Sequence, residues 1–443
     1  MRLRPLPEML KIPFLLAGSA LLAASVWIWV QDITIPRQEA EAREHGIPRG
    51  NLSDLYPRWL GTRELLLRGR DPYRNDITRE IQAGYYGRPL DPNRPFDPKD
   101  QQAFAYPLYV VFILAPMIAM PFAMVQRIFL LLLIALTVAS VPLWLHVLRW
   151  RISLRWQLVW IILVVGSFPA IQAFKLQQLT LLVAALLAAS FACIVRGRLV
   201  LAGILLALAS IKPQLVVLVG LWLLIWISGN WRERQKLFWS GLISTVILIG
   251  SGELLLPGWI HEFRAATSSY YQYTGGGRSV LDVALNPVGG RVAAAILVTV
   301  LMVRLWRLRR GGEQSPAFQW SLGAVQATTL VMIPMFAPYN QVLLAPCVML
   351  IAKAIQDVWR ANRMSRFFVL LTATAIAWPW VASLTLAIAL IWLPLITVQQ
   401  AWRVPMRSTL MIPVSILALI FVSRKIMCDE SDIAQTHLAH ARC

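Results

Sequence analysis

The strongest constraint on this chain is a succession of apolar runs, each close to the length that crosses a bilayer and bounded by short polar segments. A window of about 19 residues finds them at 12–30, 106–125, 126–147, 157–174, 179–195, 237–256, 287–306, 319–337, 340–356, 366–380, 382–401 and 408–424. A further run at 199–228 is broken at Lys212-Pro213 and reads as a hairpin of two short helices. In hydrocarbon every backbone polar group must be satisfied within the protein, so runs of this kind fold as helices. The expected architecture is all-α, a polytopic membrane helix bundle with about thirteen transmembrane helices. Composition agrees, with 58% hydrophobic and 14% charged residues against roughly 45–50% and about 25% in soluble domains. A soluble globular enzyme is excluded. Parity singles out 106–147, which is long enough for two passes where one is needed. Pro107, Pro116 and Pro121 suit a re-entrant or interfacial first part followed by one full pass.

The formal charge of +20, from 42 basic and 22 acidic residues, would suggest nucleic acid in a soluble protein. Its distribution argues otherwise. Residues 31–105 hold 12 of the 22 acids and 12 basic residues, so that stretch is neutral. The excess lies in short clusters between apolar runs: Arg149, Arg151 and Arg155; Arg196 and Arg198; Arg232, Arg234 and Lys236; Arg304 to Arg310; Arg360, Arg363 and Arg366. Clusters of this kind flank spans on the cytoplasmic side. The partner is therefore a lipid bilayer, with no nucleic acid. Arg2, Arg4 and Lys11 before the first run make it an uncleaved span with its N-terminus inside. Cys193 and Cys347 lie in apolar runs and Cys428 and Cys443 in the tail, a spacing that offers neither a disulfide framework nor a zinc site.

Residues 1–427 read as one transmembrane domain, and 428–443, with His437 and His440, as a disordered tail. Two long polar stretches, 31–105 and 257–286, are expected on the extracytoplasmic side. In the first, Ser53-Asp54 can cap a helix that carries Pro57 in its first turn and stops at Gly69. Tyr56, Trp59, Leu60, Leu66 and Leu67 follow helical spacing, with Arg58, Glu64 and Arg68 facing elsewhere. This is an amphipathic helix suited to lying on the outer leaflet. The second stretch carries His261, Glu262, Arg264, the Tyr270-Tyr271-x-Tyr273 cluster, Gly275–Gly277, Arg278 and Asp282.

Ionisable groups at membrane depth or at its edge are costly, which makes each a functional candidate. They are Asp54, Lys175 beside Gln177 and Gln178, Lys212, Glu253, Arg264, Arg278 and Asp282. One or two carboxylates with several cations suit a reaction in which a base activates a hydroxyl while cations hold a departing phosphate. Each also has an ordinary use. Asp54 can be a helix N-cap worth about 1 kcal/mol, Lys212 can snorkel to headgroups, and Asp71 before Pro72 can hold a turn. Glu253 and Asp282 read as loop and interface residues, and the tyrosine cluster as an interfacial belt.

The run Asp54-Leu-Tyr-Pro-Arg-Trp59, followed by Leu65-Leu-Leu-Arg-Gly-Arg-Asp71-Pro-Tyr73, resembles the first-loop signature of glycosyltransferase family 87. Phe104-Ala-Tyr106-Pro107, Ala115-Pro116, Gln177-Gln178, Arg196-Gly-Arg198, Ala202-Gly203 and Lys212-Pro213 follow in order, and the likeness covers roughly residues 50–240. It departs from the family at Leu108, where a second proline is usual, and at Gln177, where Gly is common. The resemblance implies a bundle of the GT-C type, related to polyprenyl-phosphate-mannose-dependent mannosyltransferases of the plasma membrane, with an extracytoplasmic active site. It implies that Asp54 acts as general base and that the sugar inverts on transfer from a polyprenyl-phosphate donor to a glycolipid or glycan acceptor. Lys212, with Lys175 or Arg278, would offset the leaving phosphate. Tyr56, Trp59, Asp71, Tyr73, Tyr106, Gln177 and Gln178 would bind substrate. No metal and no cofactor is expected, and added chelator should leave transfer intact. The alternative is a transporter or flippase of lipid-linked sugars, which would favour internal repeats and small outer loops; a structural subunit would lack a cleft at Asp54.

Overall fold

The computed structural model describes residues 8–46, 53–91, 93–273, 276–334 and 336–428, and among these it is helical with no strand. Arg2, Arg4, Gly275, His437, His440 and Cys443 lie outside the described residues, as does the tail from 429 onward, whereas Cys428 is buried.

Among the described residues six helices are long and apolar enough to cross a membrane, or up to eight if each of two bent pairs is one span. The bent pairs are Leu154–Val165 with Phe168–Leu176, at 56°, and Pro338–Lys353 with Ile355–Ala361, at 66°. Four shorter apolar helices accompany them: Leu108–Met117, Thr180–Val195, Leu199–Ala209 and Pro213–Ser228. By length and composition this falls short of about thirteen spans, partly because adjacent runs merge. The runs 366–380 and 382–401 are largely a single 30-residue helix, Arg363–Trp392, which passes through Pro379. A proline is tolerated inside a membrane helix when its neighbours satisfy the carbonyl it frees. At 106–147 there is one long helix, Phe122–Val147, opened by Pro121, preceded by short turns between Leu108 and Met117. The first helix outlasts its apolar run. It continues through a π-helical turn, Trp29–Thr34, to Glu44, so the polar stretch that opens at 31 begins as helix.

The packing gives the bundle two distinct ends. Thr180–Val195 and Pro213–Ser228 both start beside Gln178 and Lys212 and run toward the basic clusters. There Arg234 donates to the carbonyls of Trp226, Arg309 and Gly311 at 2.6, 2.8 and 2.8 Å. Arg196 Nε lies 3.2 Å from His146 Nε2, and Lys353 Nζ donates to Leu148 O at 2.7 Å. Cations at helix C-termini complement the exposed carbonyls and the helix dipole. Between the ends, the rings of Trp144, Phe191, Trp222, Trp226 and Phe318 pack as one cluster. Leu199–Ala209 crosses Trp231–Leu255 at Gly203, where a Cβ would meet Gly241 N at 2.6 Å and Leu237 O at 2.7 Å. Small residues permit such close crossings in membranes. The long helices Trp231–Leu255 and Pro287–Leu308 bury only 11% and 17% of their apolar windows, as lipid-facing helices do.

At the other end, Leu55–Arg68 stops at Gly69, which takes φ +64° and returns its N–H to Leu65 O at 3.0 Å. The faces of this helix differ from the expected ones. Leu67 is exposed, and Glu64 is buried, held by Arg68 at 3.0 Å and Arg70 at 2.9 Å. Gly61 leaves room for the ring of Phe104. The helix Trp259–Tyr273 leans on the same region, with Tyr270 donating to Asp100 Oδ1 at 2.8 Å and Tyr273 to Pro98 O at 3.3 Å. The two polar stretches thus form one layer over the bundle.

Candidate active site

Asp54 occupies the N-cap position of Leu55–Arg68, yet its side chain caps nothing. Its N–H donates to Leu176 O at 3.0 Å, which docks it against the C-terminus of Phe168–Leu176. That helix ends at Gln177, whose φ of +50° is unusual for a residue with a side chain. Gln177 is fastened on two sides, accepting from Ser53 Oγ and donating to Gln126 O. The turn aims Gln178 at Asp54, and Gln178 Nε2 donates to Asp54 Oδ2. Gln102 Nε2 approaches Oδ1 at 3.5 Å and binds Asp100 Oδ2 at 2.8 Å. The N-capping use of Asp54 is therefore not realised.

Lys212, at the tip of the hairpin, is buried and donates to Gln178 Oε1 at 2.7 Å and to Thr180 Oγ1 at 2.8 Å. Thr180 passes a hydrogen bond on to Asn340 Oδ1 at 2.9 Å. A lysine can only donate, so it fixes which end of the Gln178 amide faces Asp54. Arg58, one turn after Asp54, donates to the Asp54 carbonyl and stacks on Tyr106, its Cζ 4.4 Å from the ring centroid. Burial pushes the Asp54 carboxyl above the usual carboxylate range, while the charges of Arg58 and Lys212 pull it the other way.

A cavity of about 430 Å³ opens beside these groups. Asp54, Arg58, Lys175, Gln102, Tyr270 and Tyr339 are on its wall. Of the residues singled out from the sequence, Asp54 and Lys175 face this space, with Lys175 Nζ donating to Gln38 Oε1 at 3.1 Å. Gln177, Gln178, Lys212 and Tyr106 form the layer behind Asp54. Arg278 is exposed, and its carbonyl accepts from Phe336, a wall residue, at 3.2 Å. Tyr56 and Trp59 pack on Phe122, with centroids 5.0 and 5.2 Å away, and do not reach the cavity. Asp71 Oδ1 accepts from Tyr73 N at 2.9 Å in a turn, and the Tyr73 hydroxyl donates to Tyr106 O at 2.7 Å. Glu253 accepts from Gly258 N at 2.7 Å, and Asp282 shares a capping box with Ser279. Within the tyrosine cluster it is Tyr270 that lines the cavity, while Tyr271 is exposed.

Arg58, which helical spacing set on another face, proves central; its place one turn after Asp54 was the available signal. Asp100, Gln102, Tyr339 and Asn340 carried no local signal, because they arrive from distant segments. A family model described as glycosyltransferase family 87 matches residues 104–334. The chain belongs to glycosyltransferase family 87. The match starts later than the first-loop motifs suggested and continues well past 240, so family 87 includes Tyr106, Lys175, Gln177, Gln178, Lys212, Tyr270 and Arg278 within the matched stretch. Asp54 and Arg58 stand before it and enter on geometry. No curated protein and no solved structure matches the chain.

Proposed function

We propose that this family 87 glycosyltransferase moves a hexose, mannose in the first instance, from a polyprenyl-phosphate donor to a hydroxyl of a glycolipid or glycan acceptor. Asp54 accepts the acceptor's proton as its oxygen bonds to the anomeric carbon from the face opposite the leaving group. The bond from that carbon to the phosphate oxygen breaks, and the lipid phosphate departs with the electron pair, leaving an inverted linkage. The observation that carries this reading is a half-buried carboxylate oriented by Gln178 on the wall of a cavity that also presents three cations, Arg58, Lys99 and Lys175. Burial raises the Asp54 carboxyl above its ordinary value, which makes it a stronger base than a free carboxylate. In a site shielded from bulk water, cations at a developing phosphate charge act with little screening.

The lipid nature of the donor has separate support. Pro338–Leu344 turns Tyr339 and Asn340 toward Asp54 and Lys212, and Gln341, Val342 and Leu344 toward a second, apolar cavity of about 270 Å³. A chain of isoprene units fits such walls, which include Trp160, Phe168, Ile376 and Trp380. The gathering of basic clusters at the far end supports a cytoplasmic location for that end and an extracytoplasmic one for Asp54. On this reading residues 1–427 are one transferase domain in the plasma membrane, and the short apolar helices complete a GT-C-type bundle. The test is transfer of radiolabelled mannose from a polyprenyl-phosphate donor by the purified chain, with the product anomer assigned by NMR. An inverted product supports the mechanism; retained configuration refutes it.

A further inference from the structure

A second polar cavity, of about 560 Å³, adjoins the Asp54 cavity, within the roughly 300–1,000 Å³ of small-molecule sites. Ala103 lines both spaces. The residues before it divide between them: Gln102 faces Asp54, and Gln101 lines the second cavity. One wall is the first turn of Asn75–Tyr86, with Asn75, Asp76 and Thr78. The facing wall is a single stripe of Trp259–Tyr273, where Glu262, Ala265, Ala266 and Ser269 recur at helical spacing. Two alanines and a serine in that stripe keep the space open. The residue after Ser269, Tyr270, points into the Asp54 cavity. One helix therefore serves both spaces.

The wall chemistry selects a ligand class. Arg74 and the neighbouring Arg70 are already paired with Asp76, and Glu262 adds a second carboxylate, so the wall's cations are engaged and do not hold a phosphate. It lacks the continuous apolar lining that a lipid tail requires. Carboxylates, amides and hydroxyls beside the Tyr73 ring present acceptors and donors in the mixture that a neutral polyol satisfies.

We propose that this cavity holds the sugar rings of the acceptor that lie beyond the ring attacked at Asp54, so that the enzyme extends a glycan of at least two rings. The inference rests on the transferase reading above. The probes are mannotriose, mannobiose and methyl mannoside, added to the purified full-length chain and followed by saturation-transfer NMR. The same sugars, as alkyl glycosides, then serve as acceptors with labelled donor. Ser269→Trp fills the cavity from an exposed helix position, and Glu262→Ala removes a hydrogen-bonding group.

Mannotriose and mannobiose should bind about tenfold tighter than methyl mannoside, and each variant should abolish that advantage. In turnover the loss should fall on KM for the longer acceptors, with donor KM and the rate on the single-ring acceptor unchanged. Equal binding of all three sugars by the wild type, or a preference that survives both variants, would overturn the proposal. Length-dependent binding without any transfer would support this subsite while contradicting the transferase reading. Transfer without length dependence would do the reverse.

Discussion

Asp54 illustrates how a carboxylate can sit at a helix N-terminus and be used for something else. Its backbone is tied to Leu176, its Oδ2 atom to Gln178, and Gln178 in turn to Lys212. Of the cations nearby, half-buried Arg58 lines the cavity and buried Lys212 stands behind the carboxylate, so the two should fail differently when replaced. The Arg58 charge lowers the pKa of Asp54. Arg58→Gln removes that pull, so the carboxyl holds its proton to higher pH and the acidic limb of the rate profile moves upward. An unmoved limb in a pH–rate profile would separate Arg58 from the base. Lys212→Met frees Gln178 to rotate, and a misplaced catalytic group costs up to about 100-fold in kcat, with donor KM unchanged. A rise in donor KM alone would instead return Lys212 to the phosphate-binding role that its sequence context first suggests.

Elements were legible where one residue marks a boundary. Pro213 and Lys212 announce the break in 199–228, Pro121 announces the helix that follows it, and Gly69 ends Leu55–Arg68 where its left-handed φ is needed. Elsewhere the signal fails for physical reasons. Hydropathy divided Arg363–Trp392 in two, but a proline does not end a membrane helix whose neighbours repair the lost hydrogen bond. Polarity placed a loop at 31, but the helix continues to Glu44 because its backbone bonds do not depend on apolar side chains. Arg58 was set on the wrong face because the apolar residues of its helix do not form one stripe: Leu67 is exposed while Glu64 is buried. Gln102 and Tyr339 reach Asp54 only through tertiary folding, which no local window contains. The Gly203 crossing yields a test at this scale. Gly203→Val has to displace backbone at Gly241 and Leu237, and overpacking of that kind costs roughly 1–3 kcal/mol. Thermal unfolding in detergent should show a lowered midpoint; an unchanged midpoint would mean that the crossing can open freely.

For the whole molecule, the charge asymmetry and the site are two ends of one arrangement. The +20 belongs to loops outside 31–105, and several of those loops meet where Arg234 gathers the carbonyls of Trp226, Arg309 and Gly311. The helices between carry the chain to Gln178 and Lys212, where the neutral polar layer closes over Asp54. Lys99 and Arg310 are exposed at opposite ends, so Lys99→Cys should react with a membrane-impermeant thiol reagent in intact cells, and Arg310→Cys only after permeabilisation. The reversed pattern would invert the topology and put the site on the cytoplasmic side.

The central claim is that one cavity-lining carboxylate activates the acceptor, and its most direct test is the rate of sugar transfer from a polyprenyl-phosphate donor in wild type and Asp54→Asn. The amide keeps the size of the side chain and can still pair with Gln178, so folding and donor binding should persist. General base catalysis typically contributes about 10²–10⁴-fold, and the variant should lose at least 100-fold in kcat with little change in donor KM. Transfer at the wild-type rate by Asp54→Asn would contradict the account.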